Sequence, residues 1–518
     1  MRIQRFALDA IGAIEGTTEL TVFSCRNTRL KRNVVRHACY YALNLLAVRN
    51  RLARFVPISA GSNRIAATIE FDCEHDGAWQ RLPAKIIDQL NKSGFDVILK
   101  FGMGLLRVPT ELSVPILSYH HGDPDRYRGR PAGFWEIADN VSVMGQMVQI
   151  ISNRLDAGAI VAYAETKVLP WSWRATLVES YTHSPLILNT AIRNALAGKT
   201  VNKACNGRNC RLPSNWATLK FILRMAWMFV KRLGYGMFRE KVWRVSAAAV
   251  QDRTQVIHGR AFPPPPRWRT ADVAPGYTFY ADPFFVGETG AILVEALNRK
   301  TGYGEIVRIE GSNHEAVLQS CGHISYPATQ YIGGRELVIP EAARWSSPIA
   351  YEMHGRWLQR IVELKIEGEP RVLDPNLFER DGRVYLFGNI RDVGPTALFL
   401  WHANALEGTF ALHPSSPIRI SPRGSRMGGA IVELDDQIFR VGQDFTGAYG
   451  DGLIMFEISK MSPRSYQERE LGRIRFSDRR GPHTLNLRSG EAVFDWYRDR
   501  VSLFAGIRRA RARSATVV

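Results

Sequence analysis

Five segments between residues 282 and 496 share one pattern: an anchor, a turn residue eight positions later, then an apolar run. They are DPFFVGETGAILVEA from Asp282, YPATQYIGGRELVIPEA from Tyr326, DPNLFERDGRVYLFGN from Asp374, GGAIVELDDQIFRVGQD from Gly428 and PHTLNLRSGEAVFDW from Pro482. The turn residues are Gly290, Gly334, Gly382, Asp436 and Gly490, and the anchors lie 44, 48, 54 and 54 residues apart. A repeat of about 40 to 50 residues written in strands and turns is the signature of a β-propeller. Five repeats predict five blades, with each anchor near the central axis and the Asp-Pro pairs facing the axial cavity.

That geometry collects polar side chains. Asp282, Asp374 and Glu341 are candidates for a base or nucleophile, a transition-state stabiliser and an acid, because glycosidic cleavage needs paired carboxylates. Glu295, Arg426, Gln443, Asp444 and His483 are expected to line the same cavity. Three readings stay open: cleavage of a sugar, binding of a sugar without cleavage, and Asp-Pro residues that only close blade turns.

The first 200 residues read differently. RFALDAIGAI is helix-like, ELTVFSC strand-like, AKIIDQLNKSG helix-like, FDVILKFG and VPILSYHH strand-like, GFWEIADN helix-like, and residues 143–168 hairpin-like. Strands alternating with helices predict a parallel α/β sheet. The chain opens in a helix where such a domain ordinarily opens with a buried strand, so the expectation is a lost first strand or a start further upstream. The stretch SYHHGDPDRYRGRPAGFWE, Ser118 to Glu136, follows an apolar strand, and open α/β sheets bind ligands at that end. Asp156, in RLDAGAI, is a candidate to orient His120. Asp123 and Asp125 read as turn formers. Arg126, Arg128 and Arg130 suit phosphate or pair within their own loop.

Composition narrows the partners without choosing one. The 518 residues carry a formal charge of +19, which suits an anionic partner. Cys25, Cys39, Cys73, Cys205, Cys210 and Cys321 are scattered with no CxxC pair, so no metal site and no disulfide framework is expected, and reduced thiols point to a cytoplasmic protein. Asp9 and Glu15 interrupt the first apolar stretch, unlike a signal peptide. FILRMAWMFVKRL, Phe221 to Leu233, is too short to span a bilayer and is broken by Arg224 and Lys231. It reads as a helix packed between domains or one lying on a membrane surface. RRARARS, Arg508 to Ser514, reads as a solvated terminus.

Ser118-Tyr119-His120, Arg126-Tyr127-Arg128-Gly129 and Leu155-Asp156-Ala157-Gly158 together resemble the 10-formyltetrahydrofolate-dependent formyltransferase family. The resemblance implies formyl transfer to an amine. His120 would be the catalytic histidine, and Asp156 its orienting partner. Ser118 stands where that family has an asparagine that steadies the oxyanion, and His121 is a candidate substitute donor. Phe101, Gly102, Met103, Gly104 and Leu105 would receive the pterin of 10-formyltetrahydrofolate, with Arg128 and Gly129 shaping the loop beside it. The propeller repeats, through YADPF and DPNLF, resemble those of β-fructosidase- and arabinanase-like glycosidases.

The expected fold is therefore an α/β Rossmann-like formyltransferase domain over residues 1–200, a helical connector over 201–240, an all-β five-bladed propeller over 241–508 and a basic tail over 509–518. The expected activity is N-formyl transfer to a nucleotide-linked amino sugar for surface polysaccharide, with carbohydrate bound at the propeller, no nucleic acid partner and no membrane span. The alternative is a carbohydrate-binding or glycosidase-like propeller beside a formyltransferase-like domain that does not catalyse.

Overall fold

The computed structural model describes residues 2–16, 19–27, 34–58, 65–102, 104–342 and 344–508. They form two compact units, Met1–Arg232 and Leu233–Val518. The basic tail from residue 509 onward lies outside the described residues.

The first unit centres on a four-stranded sheet in the order Ala159–Lys167, Val143–Ile150, Ile116–His120, Ile98–Lys100. Val143–Ile150 is buried along most of its length, and helix Ser184–Leu196 packs on it and on Ala159–Lys167. Helix Arg5–Gly12 lies against that helix, burying Phe6, Ala7, Leu8 and Ala10. The helices and strands expected from periodicity occur at these places, but they do not assemble as the Rossmann-like expectation had it. Parallel pairing in this unit is split over four separate sheets: Leu20–Cys25 with Ile65–Phe71, Trp79–Arg81 with Leu105–Leu106, Ile98–Lys100 with Ile116–His120, and Tyr127–Gly129 with Arg208–Cys210. Residues 143–167 form the hairpin expected from sequence, joined by residues 151–158, and so short a connection can only join antiparallel strands. The chain also opens in a strand rather than a helix: Arg2–Gln4 pairs antiparallel with Phe55–Pro57 before the first helix begins.

The second unit is a five-bladed propeller. Blade one is Tyr277–Val286, Ala291–Asn298, Gly304–Glu310 and Asn313–Leu318; blade two runs from Ile324 to Glu363 and blade three from Val372 to Leu412. Blade four spans Arg423 to Ile474. Blade five joins the two ends of the unit. Its inner strands Leu485–Arg488 and Glu491–Val501 are completed by Arg239–Ala249, which pairs antiparallel with Glu491–Val501 in register from Arg239↔Val501 to Ala249↔Glu491, and by Arg269–Thr270. The strand at 239–249 thus belongs to the propeller and closes its ring. It follows directly on helix Asn215–Phe238.

All five turn residues have positive φ, from +61° at Asp436 to +78° at Gly290. The hairpins at Gly334, Gly382, Asp436 and Gly490 close over two residues and that at Gly290 over four, and such tight turns favour that conformation. The first strands of blades one to three each carry a bulge at the anchor, where Asp282, Tyr326 and Asp374 themselves have positive φ of 49°, 48° and 46°. In blade four the bulge falls at Gly424, four residues before the expected anchor Gly428. First strands of neighbouring blades touch around the ring, and Asn486 Nδ2 donates to Pro283 O at 2.7 Å between blades five and one.

Candidate functional site

In four blades the second strand carries a polar residue opposite the bulge of the first: Glu295 faces Ala281, Glu341 faces Ser325, Asn389 faces Leu373 and Asp444 faces Arg423. Asp495 holds the matching place in blade five. The bulge re-aims the first strand, and it sets the anchor beside a polar residue of a neighbouring blade. Asp282 N donates to Asp495 Oδ2 at 3.1 Å, and Asp374 N donates to Glu341 Oε2 at 3.0 Å.

Two ionic knots result. In the first, His483 Nδ1 lies 3.1 Å from both Asp282 Oδ1 and Asp495 Oδ2. Thr484 Oγ1 donates to Asp282 Oδ1 at 2.5 Å, and Asp495 Oδ1 also accepts the N–H groups of His483 and Thr484 at 2.9 and 2.8 Å. Burial disfavours a charged imidazole, but Tyr449, Asp495 and Asp282 outweigh it and hold His483 well above its ordinary pKa. His483 Nε2 faces Tyr449 Oη at 2.6 Å. Burial likewise pushes Asp282 up, and His483 and Thr484 bring it below the usual carboxylate range. Asp282, His483 and Asp495 place donor atoms within 4.8 Å of one another. Asp495 also accepts three backbone amides, and His483 lies between its carboxyl group and that of Asp282.

The second knot is Glu341, Asp374 and Arg426. Arg426 grips Asp374 through Nε and through Nη2 at 3.1 Å, a bidentate pair, and its Nη2 lies 3.8 Å from Glu341 Oε2. Burial and the adjacent Asp374 push Glu341 up to about 8, so it is a neutral acid at pH 7. The Arg426 guanidinium lies 5.4 Å from the centre of the Tyr449 ring, which links the two knots. Nearby, Glu295 Oε1 meets His323 Nε2 at 3.3 Å, and burial holds Glu295 above the ordinary range. Asp444 accepts from Thr446 Oγ1 at 2.7 Å and from Arg475 Nη2 at 2.9 Å. Gln443 Nε2 donates to Met427 O at 2.7 Å, while its Oε1 is buried without a partner among the described residues.

The structure therefore binds Asp282 to His483 and Asp374 to Glu341 and Arg426, with Glu295, Gln443 and Asp444 in separate local pairings. Tyr449, Thr484, Asp495, His323 and Arg475 complete the cluster and were not expected from sequence. Asp495 had a signal: it repeats the polar position of Glu295 and Glu341. Both anchor carboxylates are consumed by internal cations and donors, which suits recognition better than cleavage. Tyr449, His323 and Arg475 stay partly exposed and form its accessible edge. A cleft of about 310 Å³ lies elsewhere, among the hairpin tips around Arg380, Asp436 and Lys460, and contains none of these groups.

In the first unit His120 and Asp156 do meet, with Nδ1 and Oδ2 3.3 Å apart. The other ring nitrogen, Nε2, faces the Tyr127 carbonyl at 2.8 Å. Asp156 Oδ2 accepts Gly129 N–H at 2.8 Å. Both nitrogens of a ring only 6% exposed are thus spent on the loop, and the pair works as a clasp between strand end and loop. Ser118 sits mid-strand, in register with Lys100 and Gln149. His121 packs among Phe6, Tyr119 and Tyr181, with Nδ1 3.2 Å from Ser180 Oγ, and burial lowers it to about 3, which keeps the ring neutral. Phe101 packs on Tyr119, Gly104 N donates to Gln80 Oε1 at 2.9 Å, and Leu105 pairs with Trp79. Gly102 has φ of 69°, and Met103 lies outside the described residues. Arg128 Nε donates to Gly207 O at 2.7 Å, and a Cβ on Gly129 would meet Cys210 O at 2.3 Å. The loop expected to hold a pterin is instead sewn to residues 207–210.

The family model described as glucosamine inositolphosphorylceramide transferase 1, N-terminal, matches residues 269–487. The glucosamine inositolphosphorylceramide transferase 1 of Oryza sativa subsp. japonica is 26% identical over 205 residues, covering 37% of this chain and 27% of that protein. The protein of the same name in Arabidopsis thaliana is 26% identical over 224 residues, covering 40% and 29%. The chain thus spans under a third of the length of these relatives. Among solved structures, the GH43_1 enzyme of Xanthomonas citri aligns at 12% identity and TM-score 0.30, covering 39% of this chain and 78% of that one. An uncharacterised Mycobacterium tuberculosis protein assigned to sugar N-formyl transfer aligns at 15% identity and TM-score 0.24, covering 40% and 87%. Scores this low carry no argument about fold or activity. The family match and the curated relatives, named for glucosamine and inositolphosphorylceramide, overturn the expected formyltransferase identity. With it go formyl transfer, 10-formyltetrahydrofolate as donor, the surface-polysaccharide setting and the alternative built on a formyltransferase-like domain.

Among the described residues no helix is long and apolar enough to cross a membrane.

Proposed function

We propose that this chain serves sugar transfer in glycosphingolipid synthesis, and that its propeller recognises a glucosamine unit at the axial cluster. The observation that carries the reading is that the match at residues 269–487 takes in both ionic knots except Asp495. The chemistry supports it. An amino sugar presents hydroxyl groups, an apolar ring face and an ammonium group. Tyr449 offers a ring to stack on, Glu295 and Glu341 offer carboxyl groups to hydrogen-bond hydroxyl and amino groups, and Arg475 offers donors to hydroxyl or phosphate oxygens. Asp282 and Asp374, held by His483 and Arg426, keep the cluster rigid, and rigid polar groups bind sugars at lower entropic cost.

The test combines purified protein, inositolphosphorylceramide and nucleotide-linked glucosamine, read by the mass of the lipid and by glucosamine binding. A hexosamine mass gain, with binding lost in Tyr449→Ala, supports the reading. Lipid of unchanged mass together with no glucosamine binding rejects it.

A further inference from the structure

Helix Asn215–Phe238 is apolar on two opposite sides. Thr218, Phe221, Ile222 and Met225 form the inner side, and Phe221, Ile222 and Met225 join the core of the first unit beside Phe134 and Trp173. The other side carries Trp216, Leu219, Lys220, Leu223, Trp227, Val230 and Lys231, a continuous strip at helical spacing. Trp216 is 64% exposed, Leu223 63%, Trp227 59% and Val230 56%. A soluble helix ordinarily puts polar residues there.

Charge decides what covers the strip. Between Glu179 and Glu240 the sequence has no acidic residue, while it has ten lysines and arginines. Lys220 and Lys231 lie 5.1 and 5.2 Å from the rings of Trp216 and Trp227, so each cation flanks an indole. A second copy of the strip would set cations against cations. A surface with anionic headgroups above an apolar layer matches both the charges and the indoles, which favour the membrane–water boundary.

We propose that helix Asn215–Phe238 lies flat on an anionic lipid surface, with Trp216, Leu223, Trp227 and Val230 in the acyl boundary and Lys220 and Lys231 at the headgroups. The inference stands apart from the sugar-transfer reading, because lipid binding of this kind needs no sugar.

The test uses the full chain with vesicles of phosphatidylcholine alone and of phosphatidylcholine with phosphatidylinositol. The expected results are co-sedimentation with the anionic vesicles, a blue shift of tryptophan emission and release by salt. Leu223→Glu/Trp227→Glu should lower the vesicle-bound partition coefficient about tenfold or more, and Lys220→Glu/Lys231→Glu should erase the preference for anionic lipid. These four side chains are exposed, so an unchanged thermal midpoint shows that the variants still fold. Failure to bind either vesicle overturns the proposal, as does binding that the variants leave intact. A concentration-dependent dimer that buries the tryptophans would also overturn it, because a second copy would then cover the strip.

Discussion

Glu136 shows how one buried carboxyl writes a pH dependence. It is 1% exposed, its Oε2 has no partner among the described residues, and burial pushes it up to about 8 from 4.5. The folded chain then holds a proton that the unfolded chain releases above pH 4.5, so this group contributes a loss of stability as pH rises from 4.5 to 8. Glu136→Gln should flatten that part of the profile and stabilise the first unit at pH 8 by at least about 1 kcal/mol; urea midpoints at pH 5 and 8 that move in parallel for both proteins would contradict this. Glu468 has the opposite sign. Burial would raise it, but Arg440 and Arg419 bring it to about 2. Its contribution is present above pH 4.5 and is lost as pH falls through 2. Arg440 is fully buried and grips Glu468 through Nε and Nη2, both at 2.8 Å. Arg440→Met should cost about 3 kcal/mol, the lower part of the usual range because Arg419 still holds Glu468 at 2.5 Å. Chemical denaturation monitored by circular dichroism measures it. At this scale the pairing of His120 with Asp156 was legible from the motifs that carry them, although His120 ends Ile116–His120 while Asp156 follows the antiparallel strand Val143–Ile150. That Tyr127 O would take the other ring nitrogen was not, because backbone carbonyls leave no mark in a sequence.

Helix Asn215–Phe238 separates its two sides energetically. Phe221 is 2% exposed and stacks on Phe134 with centroids 4.2 Å apart. Phe221→Ala should cost about 3 to 5 kcal/mol, whereas Leu223→Ala should change stability by under about 0.5 kcal/mol. Equal losses on thermal unfolding would mean that both sides are packed. Elements were the most legible level. The helices at 5–12 and 84–92 and the hairpin at 143–167 arise from local periodicity, and all five blade turns fall on residues that tolerate positive φ. The expected anchor of blade four, Gly428, lies four residues past the bulge, because Gly428 and Gly429 look like an anchor while Gly424 satisfies the steric demand. A Cβ at Gly424 would meet the Phe456 ring at 2.3 Å.

The propeller depends on a closure between distant strands. Ala492, Phe494 and Trp496 of Glu491–Val501 enter the same core cluster as Ala248 of Arg239–Ala249. Removing residues 491–518 should leave that cluster open and abolish cooperative unfolding of the propeller. A truncated chain that stays soluble and melts in one sharp transition would show that the ring does not need this strand.

The sequence by itself determined the strand-and-turn rhythm of the propeller, the number of its blades and the residues that crowd its axis. These follow from alternation and turn chemistry, which act within a few positions of the chain. Only the tertiary structure decided the rest. Asp282 meets Thr484 across 202 positions, and Arg239–Ala249 returns to complete the last blade. The alternating helices and strands of the first unit form a mixed sheet rather than a parallel one. Such pairings depend on distance in space, and a local pattern carries no information about which distant residue will lie there when the chain closes.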